Sequence, residues 1–299
     1  EETRYLNAHL DYGRKLDRKG NMQKCFVDPG NQLSIYESVQ NYGHINLSDG
    51  LLHKIVFEVK DIKGNTSFLS VMLQQSPNTL ISTTTDSNYE MQMSYAMDNF
   101  YDTDQISIQL PYGCFYEDIS FKYKTYASGE PGIYSQVHKV HDYHTPVQKY
   151  FDIAIKPSNL PSELYDQAII VYKDHRGRKR SIGGKWEGNY LKARSRTFGD
   201  YYITTDTKPP RIKPYNISNG KNMSKNTQII FSIGDDLSGV ATYNCYVDGQ
   251  WILMNYDGKS GRIRHYFKDG KIGKGAHELR LVVKDGAGNE NVYTANFTR

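Results

Sequence analysis

Apolar and polar positions alternate in the same way along two distant stretches of this chain. HKIVFEVKDIKGNTS runs from His53 to Ser67, and HELRLVVKDGAGNEN from His277 to Asn291. Their shared His, Val, Lys, Asp, Gly and Asn keep one offset of 224 residues. In the first copy Ile55, Phe57 and Val59 alternate with Val56, Glu58 and Lys60. In the second, Leu279, Leu281 and Val283 alternate with Arg280, Val282 and Lys284. A period of two is the mark of a strand with one buried face. DIKGN and DGAGN then offer an Asp that can bond its own backbone and a Gly free to take positive φ. SFLSVML and VYTANF follow as second strands. Residues 53–73 and 277–297 are therefore predicted as equivalent β-hairpins, each closing a β-sandwich. Asp61 and Asp285 should cap the turns, with Gly64 and Gly288 at positive φ.

The last hundred residues show a whole unit. TDTKPPRIKP, from Thr205 to Pro214, is a Pro-rich boundary that cannot continue a central strand. TQIIFSI, GDDLSGV and TYNCYVDGQWILMNYD come next, with Asp248-Gly249 as a two-residue hairpin signal. GRIRHYF and the final hairpin complete about seven strands, the spacing of an immunoglobulin-like sandwich. Near the start, RYLNAHLDYGR aligns with TYNCYVDGQW, and FVDPGNQLSIY reads as an inserted hairpin. The expectation is that the chain begins inside a domain, after its first two strands, and that any targeting segment lies before it. From Pro77 to Asp206 a different set of strand-like runs appears, among them QISIQLPYG, YFDIAIKP, QAIIVYKD and DYYITTD. AIIVYKDHRGRKRS echoes the repeated pattern through Asp174 and Gly177. The predicted fold class is all-β, with tandem immunoglobulin-like sandwiches over 1–76, 77–206 and 207–299.

Composition adds limits. The 299 residues include 25 Tyr and 25 Gly, which suit half-buried strands and turns. Basic and acidic residues number 37 and 33, so no global field points to nucleic acid. Cys25, Cys114 and Cys245 share no spacing and read as small, partly buried strand residues. No apolar run approaches the ~18 residues of a membrane span.

Three clusters could carry chemistry. HKVHDYH holds His138, His141, Asp142 and His144, and His138-x-x-x-Asp142 has the spacing of part of a zinc site. Its surroundings read as strand and turn, where three-residue spacing scatters ligands, so a polar loop is expected. Asp235 and Asp236 in GDDLSG could offer oxygens to calcium but lack the alternating D-x-D-x-D-G array and its distal Glu, and read as a turn. Lys173 to Arg196 holds nine basic and two acidic residues. Arg176, Arg178, Lys179, Arg180, Lys185, Trp186 and Tyr190 are its candidates for gripping an anionic polymer, rings stacking on sugars. The competing expectation is a solvated hairpin with Trp186 packed inward. No hydrolytic triad or phosphate-binding loop is present.

The ending NISNGKNMSKNTQIIFSIGDDLSGVATYNCYVDGQWILMNYDGKSGRI, with HELRLVVKDGAGNENVYTANF, resembles the C-terminal region of lysostaphin/LytM-type zinc endopeptidases of Gram-negative envelope bacteria. RYLNAHLDYGRK, INLSDG and VKDIKGNTS resemble the start of that β-rich tail, and LPYGCFYEDISFKY and FGDYYITTDTKPPRI its middle. The family's zinc ligands come from H-x-x-x-D and H-x-H motifs in its catalytic domain. No H-x-H occurs here, so no catalytic residue is carried over. The resemblance implies a non-catalytic tail with no cofactor of its own, zinc residing in a peptidase domain of the same protein. That domain is the implied partner, with peptidoglycan or another anionic envelope polymer as a second. The implied location is the cell envelope, periplasmic or secreted. The competing class is a stand-alone glycan-binding or adhesion module.

Overall fold

The computed structural model describes residues 2–76 and 88–299. The expected boundary at Pro77 lies outside them. Beyond two short N-terminal helices and 3-10 turns, the elements are strands.

The first two strands form the hairpin predicted above. β1 (His53–Lys60) and β2 (Thr66–Leu73) pair antiparallel from His53↔Leu73 to Lys60↔Thr66. Asp61 Oδ1 accepts from the backbone N–H of Lys63 and Asn65, and Gly64 sits at φ 85°. Among the described residues this hairpin makes a two-stranded sheet, and residues 2–76 do not build the expected sandwich.

The rest of that segment also departs from the alternating reading. RYLNAHL is helical: α1 spans Glu2–His9, and α2, Tyr12–Leu16, follows with Asp11 as its cap. Tyr5, Ala8 and Tyr12 recur at helical spacing and form the inward side, with Ala8 buried. Short apolar runs fit either period, and packing decides between them. Here the partner is the next domain. Tyr116 Oη donates to Arg4 O at 2.8 Å, the Tyr5 and Tyr116 rings meet edge to face, and Arg176 donates to Leu16 O at 2.8 Å. FVDPGNQLSIY is irregular rather than a hairpin. Gly30 lies so close to Phe115 and Tyr116 that a Cβ would meet their backbone at 3.0 Å.

The middle domain is a sandwich. Its strands are β3 (Met91–Met93), β4 (Asn99–Asp102), β5 (Ile106–Leu110), β6 (Ile119–Phe121), β7 (Tyr123–Tyr126), β8 (Val137–Val140), β9 (Phe151–Ile155), β10 (Ala168–Lys173), β11 (Lys179–Ser181), β12 (Lys185–Glu187), β13 (Tyr190–Ser195) and β14 (Gly199–Thr205). One sheet runs β11-β10-β14-β8-β7 and the facing one β12-β13-β9-β5-β4, with β3-β6 as a small third. Ile106, Ile108, Phe151, Ile153 and Leu191 meet Val140, Ile170, Tyr201 and Ile203 in the core. Burying these side chains contributes roughly 1.5–3 kcal/mol each. The turn Asp174–Arg178 between β10 and β11 is a third copy of the repeated one. Asp174 Oδ1 accepts from the N–H of Arg176 and Arg178, and Gly177 has φ 76°.

The last domain holds β15 (Arg211–Pro214), β16 (Lys221–Asn222), β17 (Gln228–Gly234), β18 (Val240–Val247), β19 (Gln250–Ile252), β20 (Asn255–Asp257), β21 (Arg262–Tyr266), β22 (Ala276–Asp285) and β23 (Glu290–Thr298). Its sheets are β15-β17-β21-β20 and β16-β23-β22-β18-β19. Asp248 and Gly249, both at positive φ, form the two-residue turn from β18 to β19. β22 and β23 pair from His277↔Phe297 to Lys284↔Glu290, the register of β1–β2 at every position. The DGAGN turn seats Ala287 against Val137, Ile169, Val171 and Tyr202 of the middle domain. Asn289 donates to Asp206 O at 2.7 Å, which ties the two domains together, and Asn291 donates to Pro210 O at 2.8 Å at the start of the last domain.

Candidate functional site

The outer face of the sheet β12-β13-β9-β5-β4 is open to solvent. Alternation explains which side chains stand on it. In ISIQL and FDIAI the Ile, Leu and Phe positions point inward, leaving Gln109 and Asp152 outward. Strand register then aligns one residue from each of four strands: Phe100, Gln109, Asp152 and Arg194 are successive cross-strand partners. Tyr150 stands beside this row, just before β9. The Arg194 guanidinium lies 5.2 Å and that of Arg196 4.7 Å from the Tyr150 ring centre. Arg194 also approaches Asp152 at 3.6 Å, and Lys192 reaches the other oxygen of Asp152 at 3.4 Å.

A cleft of about 440 Å³ follows the row, with Asp98, Phe100, Gln109, Tyr150, Asp152 and Arg194 on its walls. A second hollow of about 580 Å³ shares Tyr150 and Arg194 and adds Arg4, Lys149 and Arg196. The exposed fractions of Phe100 (55%) and Tyr150 (48%) leave ring surface free for a ligand. Aromatic faces are apolar yet electron-rich, while Gln109, Asp152 and Arg194 supply donors and acceptors between them. A flat ligand with an apolar face and a polar rim fits this arrangement.

The residues singled out in the basic segment do not form one patch, because the segment crosses from one sheet to the other. Arg176, Arg178, Lys179 and Arg180 lie on the β10–β11 hairpin. Arg178 pairs with Asp174 at 2.7 Å, Lys179 pairs with Glu130, and Arg176 is held by Leu16 O. Burial would raise the Asp174 carboxyl, but hydrogen bonds from Arg178 and Arg176 outweigh it and hold it below the usual carboxylate range. Lys185, Trp186 and Tyr190 stand on the β12–β13 edge of the facing sheet. Trp186 packs against the core, and its indole N–H donates to Tyr165 O at 3.0 Å. Tyr190 donates to Asp104 O at 3.3 Å. Trp186 thus serves as a wall of the domain, with its edge bordering a hollow beside Tyr165 and Lys156.

In HKVHDYH the side chains diverge. His138 is fully buried, with Nδ1 against the Tyr123 hydroxyl at 2.8 Å. His141 Nδ1 accepts from Lys122 N–H, and its Nε2 meets Thr145. His144 reaches Asp17 and Asp142. Burial pushes both His138 and His141 down to about 4. This set does not fit a zinc site, since His138 Nδ1 and the ring nitrogens of His141 and His144 face separate partners, Tyr123, Lys122, Thr145, Asp17 and Asp142. Among the described residues, three metal-competent side chains do converge elsewhere: one oxygen each of Asp206, Asp235 and Asp285 lie within 4.8 Å of one another. Such oxygens suit a hard cation. They are also engaged in turns, Asp235 accepting from Leu237 and Gly239 and Asp285 from Ala287 and Asn289. Asp236 instead pairs with Arg211. Of these four carboxylates the sequence pointed only to Asp235 and Asp236; Asp206 and Asp285 join through the domain junction.

Phe100, Gln109, Tyr150, Asp152 and Arg194 were also missed as a site. Alternation in QISIQL and YFDIAI marks Gln109 and Asp152 as outward, but no sequence signal aligns four strands.

No curated protein matches this chain. Among solved structures, the fibronectin(III)-like modules of Clostridium thermocellum CbhA are similar at 11% identity and a TM-score of 0.25, over 50% of this chain and 85% of that one. A Bacteroides ovatus mixed-linkage glucan utilization protein, SGBP-B, in complex with a mixed-linkage heptasaccharide, matches at 11% identity and a TM-score of 0.19, over 83% of this chain and 54% of that one. A calcium-stabilized, ice-binding adhesin of an Antarctic bacterium matches at 13% identity and a TM-score of 0.19, over 83% and 56%. The family match is local to the middle domain, where residues 90–206 are similar to the Zu5-like domain.

Proposed function

We propose that this chain is a non-catalytic binding module whose middle domain holds a glycan across its open sheet. The observation that carries this reading is the row Phe100–Gln109–Asp152–Arg194 with Tyr150 beside it. A sugar ring offers an apolar C–H face and a rim of hydroxyls, the complement of two exposed rings flanking polar groups. The adjoining Arg4, Lys149 and Arg196 favour a glycan bearing carboxylates. The resemblance to tails of lysostaphin-type peptidases supports peptidoglycan as that polymer. In that setting the module keeps a zinc peptidase domain of the same protein beside its substrate in the cell envelope.

Sedimentation with purified sacculi and titration with soluble muropeptides test this. Phe100→Ala and Tyr150→Ala are each expected to weaken binding about tenfold, the loss of one stacking contact of roughly 1–3 kcal/mol. Arg194→Ala should weaken it and flatten its salt dependence, as fewer charge contacts remain. The chain with added zinc should release no soluble fragments from sacculi. Binding unchanged in all three variants would exclude this face.

A further inference from the structure

β1 and β2 carry an apolar face: Ile55 and Phe57 of β1 pair with Val71 and Leu69 of β2, Leu73 opposite His53 extends it at one end, and Val59 opposite Ser67 at the other. Phe57, Leu69 and Val59 are 43%, 63% and 68% exposed. The same face exists once more in this chain, position for position. Leu279 and Leu281 face Ala295 and Tyr293 across β22–β23, with Phe297 opposite His277 at one end and Val283 opposite Asn291 at the other. There it is covered, with Leu279, Leu281 and Val283 fully buried.

What covers it is on view. β18 runs antiparallel along the outer edge of β22, with Val247↔Leu279, Cys245↔Leu281 and Tyr243↔Val283. The opposing sheet closes the face, Phe231 of β17 packing on Tyr293 with ring centres 5.3 Å apart. At the matched positions of β1 no described residue supplies such a strand: among the described residues β1 pairs with β2 alone.

We infer that β1–β2 is a docking surface for the remainder of an immunoglobulin-like sandwich: a polypeptide that lays a strand of the β18 kind antiparallel along β1 and a second apolar sheet over Ile55, Phe57 and Leu69. Charge agrees with this occupant. On the other face, β18 sets Tyr246, Asn244 and Thr242 beside Arg280, Val282 and Lys284. In the same register those neutral side chains would flank Val56, Glu58 and Lys60, opposing no like charge. A second copy of the hairpin answers the need less well. Two hairpins face to face give two strands per layer, and a two-stranded layer is marginal in water. A long, apolar, unpaired edge is otherwise an aggregation hazard.

Amide exchange on the intact chain tests the inference, with a synthetic peptide of residues 238–249 carrying Cys245→Ser as the strand. Without peptide, β1 amides should exchange much faster than those of β22. Millimolar peptide should slow exchange in β1 about tenfold and leave β22, which already has its partner, unchanged. Phe57→Lys should abolish the slowing. A second arm replaces residues 277–297 by 53–73 within the full chain, and this exchange should keep a single cooperative unfolding of the last domain. Protection of β1 equal to β22 without peptide, no slowing at saturating peptide, or loss of the last domain's fold in the exchange would each overturn the inference. Protection that rises with chain concentration in the absence of peptide would assign the surface to a second copy instead.

Discussion

The two large sheets of the middle domain are built alike and used differently. Both have five antiparallel strands and share one core. In the sheet led by β10, the outer face is covered as well, because Ile169, Val171 and Tyr202 receive Ala287 from the last domain. β10 is accordingly buried at Ala168, Ile169, Ile170 and Val171 in succession. The other sheet keeps strict alternation, and its outer face carries Phe100, Gln109, Asp152 and Arg194 into solvent. A strand buried on both faces reads as a continuous apolar run, while a half-wet strand alternates. The comparison teaches that one sheet of this domain is committed to holding the chain together, and the other is free to meet a ligand.

Substitution gives the widest separation. Val171→Ala together with Ile169→Ala is expected to destabilise the middle domain by about 3–5 kcal/mol, each buried side chain leaving a cavity. Phe100→Ala with Gln109→Ala on the open face should change stability by less than about 0.5 kcal/mol. Chemical denaturation of the two double variants checks this. Equal losses would erase the distinction between the faces.

Acid should act through the committed sheet. His138 on β8 and His141 just after it are buried and neutral, with pKa values pushed down to about 4 by burial. An unfolded His titrates near ~6.5, so between these values the unfolded chain binds protons that the folded domain refuses. Stability should be constant above about pH 6.5 and fall steadily toward pH 4, by up to roughly 3 kcal/mol per imidazole. Urea midpoints at pH 7.0 and 4.5 measure the loss, which His138→Leu should reduce by about half.

The smallest effect sharpens the role of the covering turn. Asn289→Ala removes the bond to Asp206 O that joins the domains and should cost about 1 kcal/mol. Asn65→Ala, its counterpart in β1–β2, bonds only Asp61 in an exposed turn and should cost a few tenths. Thermal melts of both variants distinguish a junction contact from a local one.

Much of the architecture was legible because it is local. Period-two alternation located β1, β2, β22 and β23, and D-x-x-G with its bonded Asp specified the same turn at Asp61, Asp174 and Asp285. Asp248-Gly249 likewise carried its own hairpin. Of the cysteines, Cys245 is a buried strand residue as read, its thiol pushed up to about 12 by burial. Cys114 is buried in a loop and Cys25 exposed in another, so neither is a strand residue.

What the sequence determined by itself was backbone conformation wherever side chains act on their own neighbours: alternating strands, capped turns and an all-β chain. Only the tertiary structure decided what each face meets. Tyr5, Ala8 and Tyr12 became one side of a helical segment because Tyr116 lay there to receive them. Asp206, Asp235 and Asp285 converge because two domains abut. Phe100, Gln109, Asp152 and Arg194 form one row because four strands, distant in sequence, took one register. Pairing between remote segments is set by the summed fit of buried faces, and no single stretch of sequence contains that sum. The clearest case is the repeated hairpin, where one pattern and one register end in a buried core at Leu281 and in solvent at Phe57.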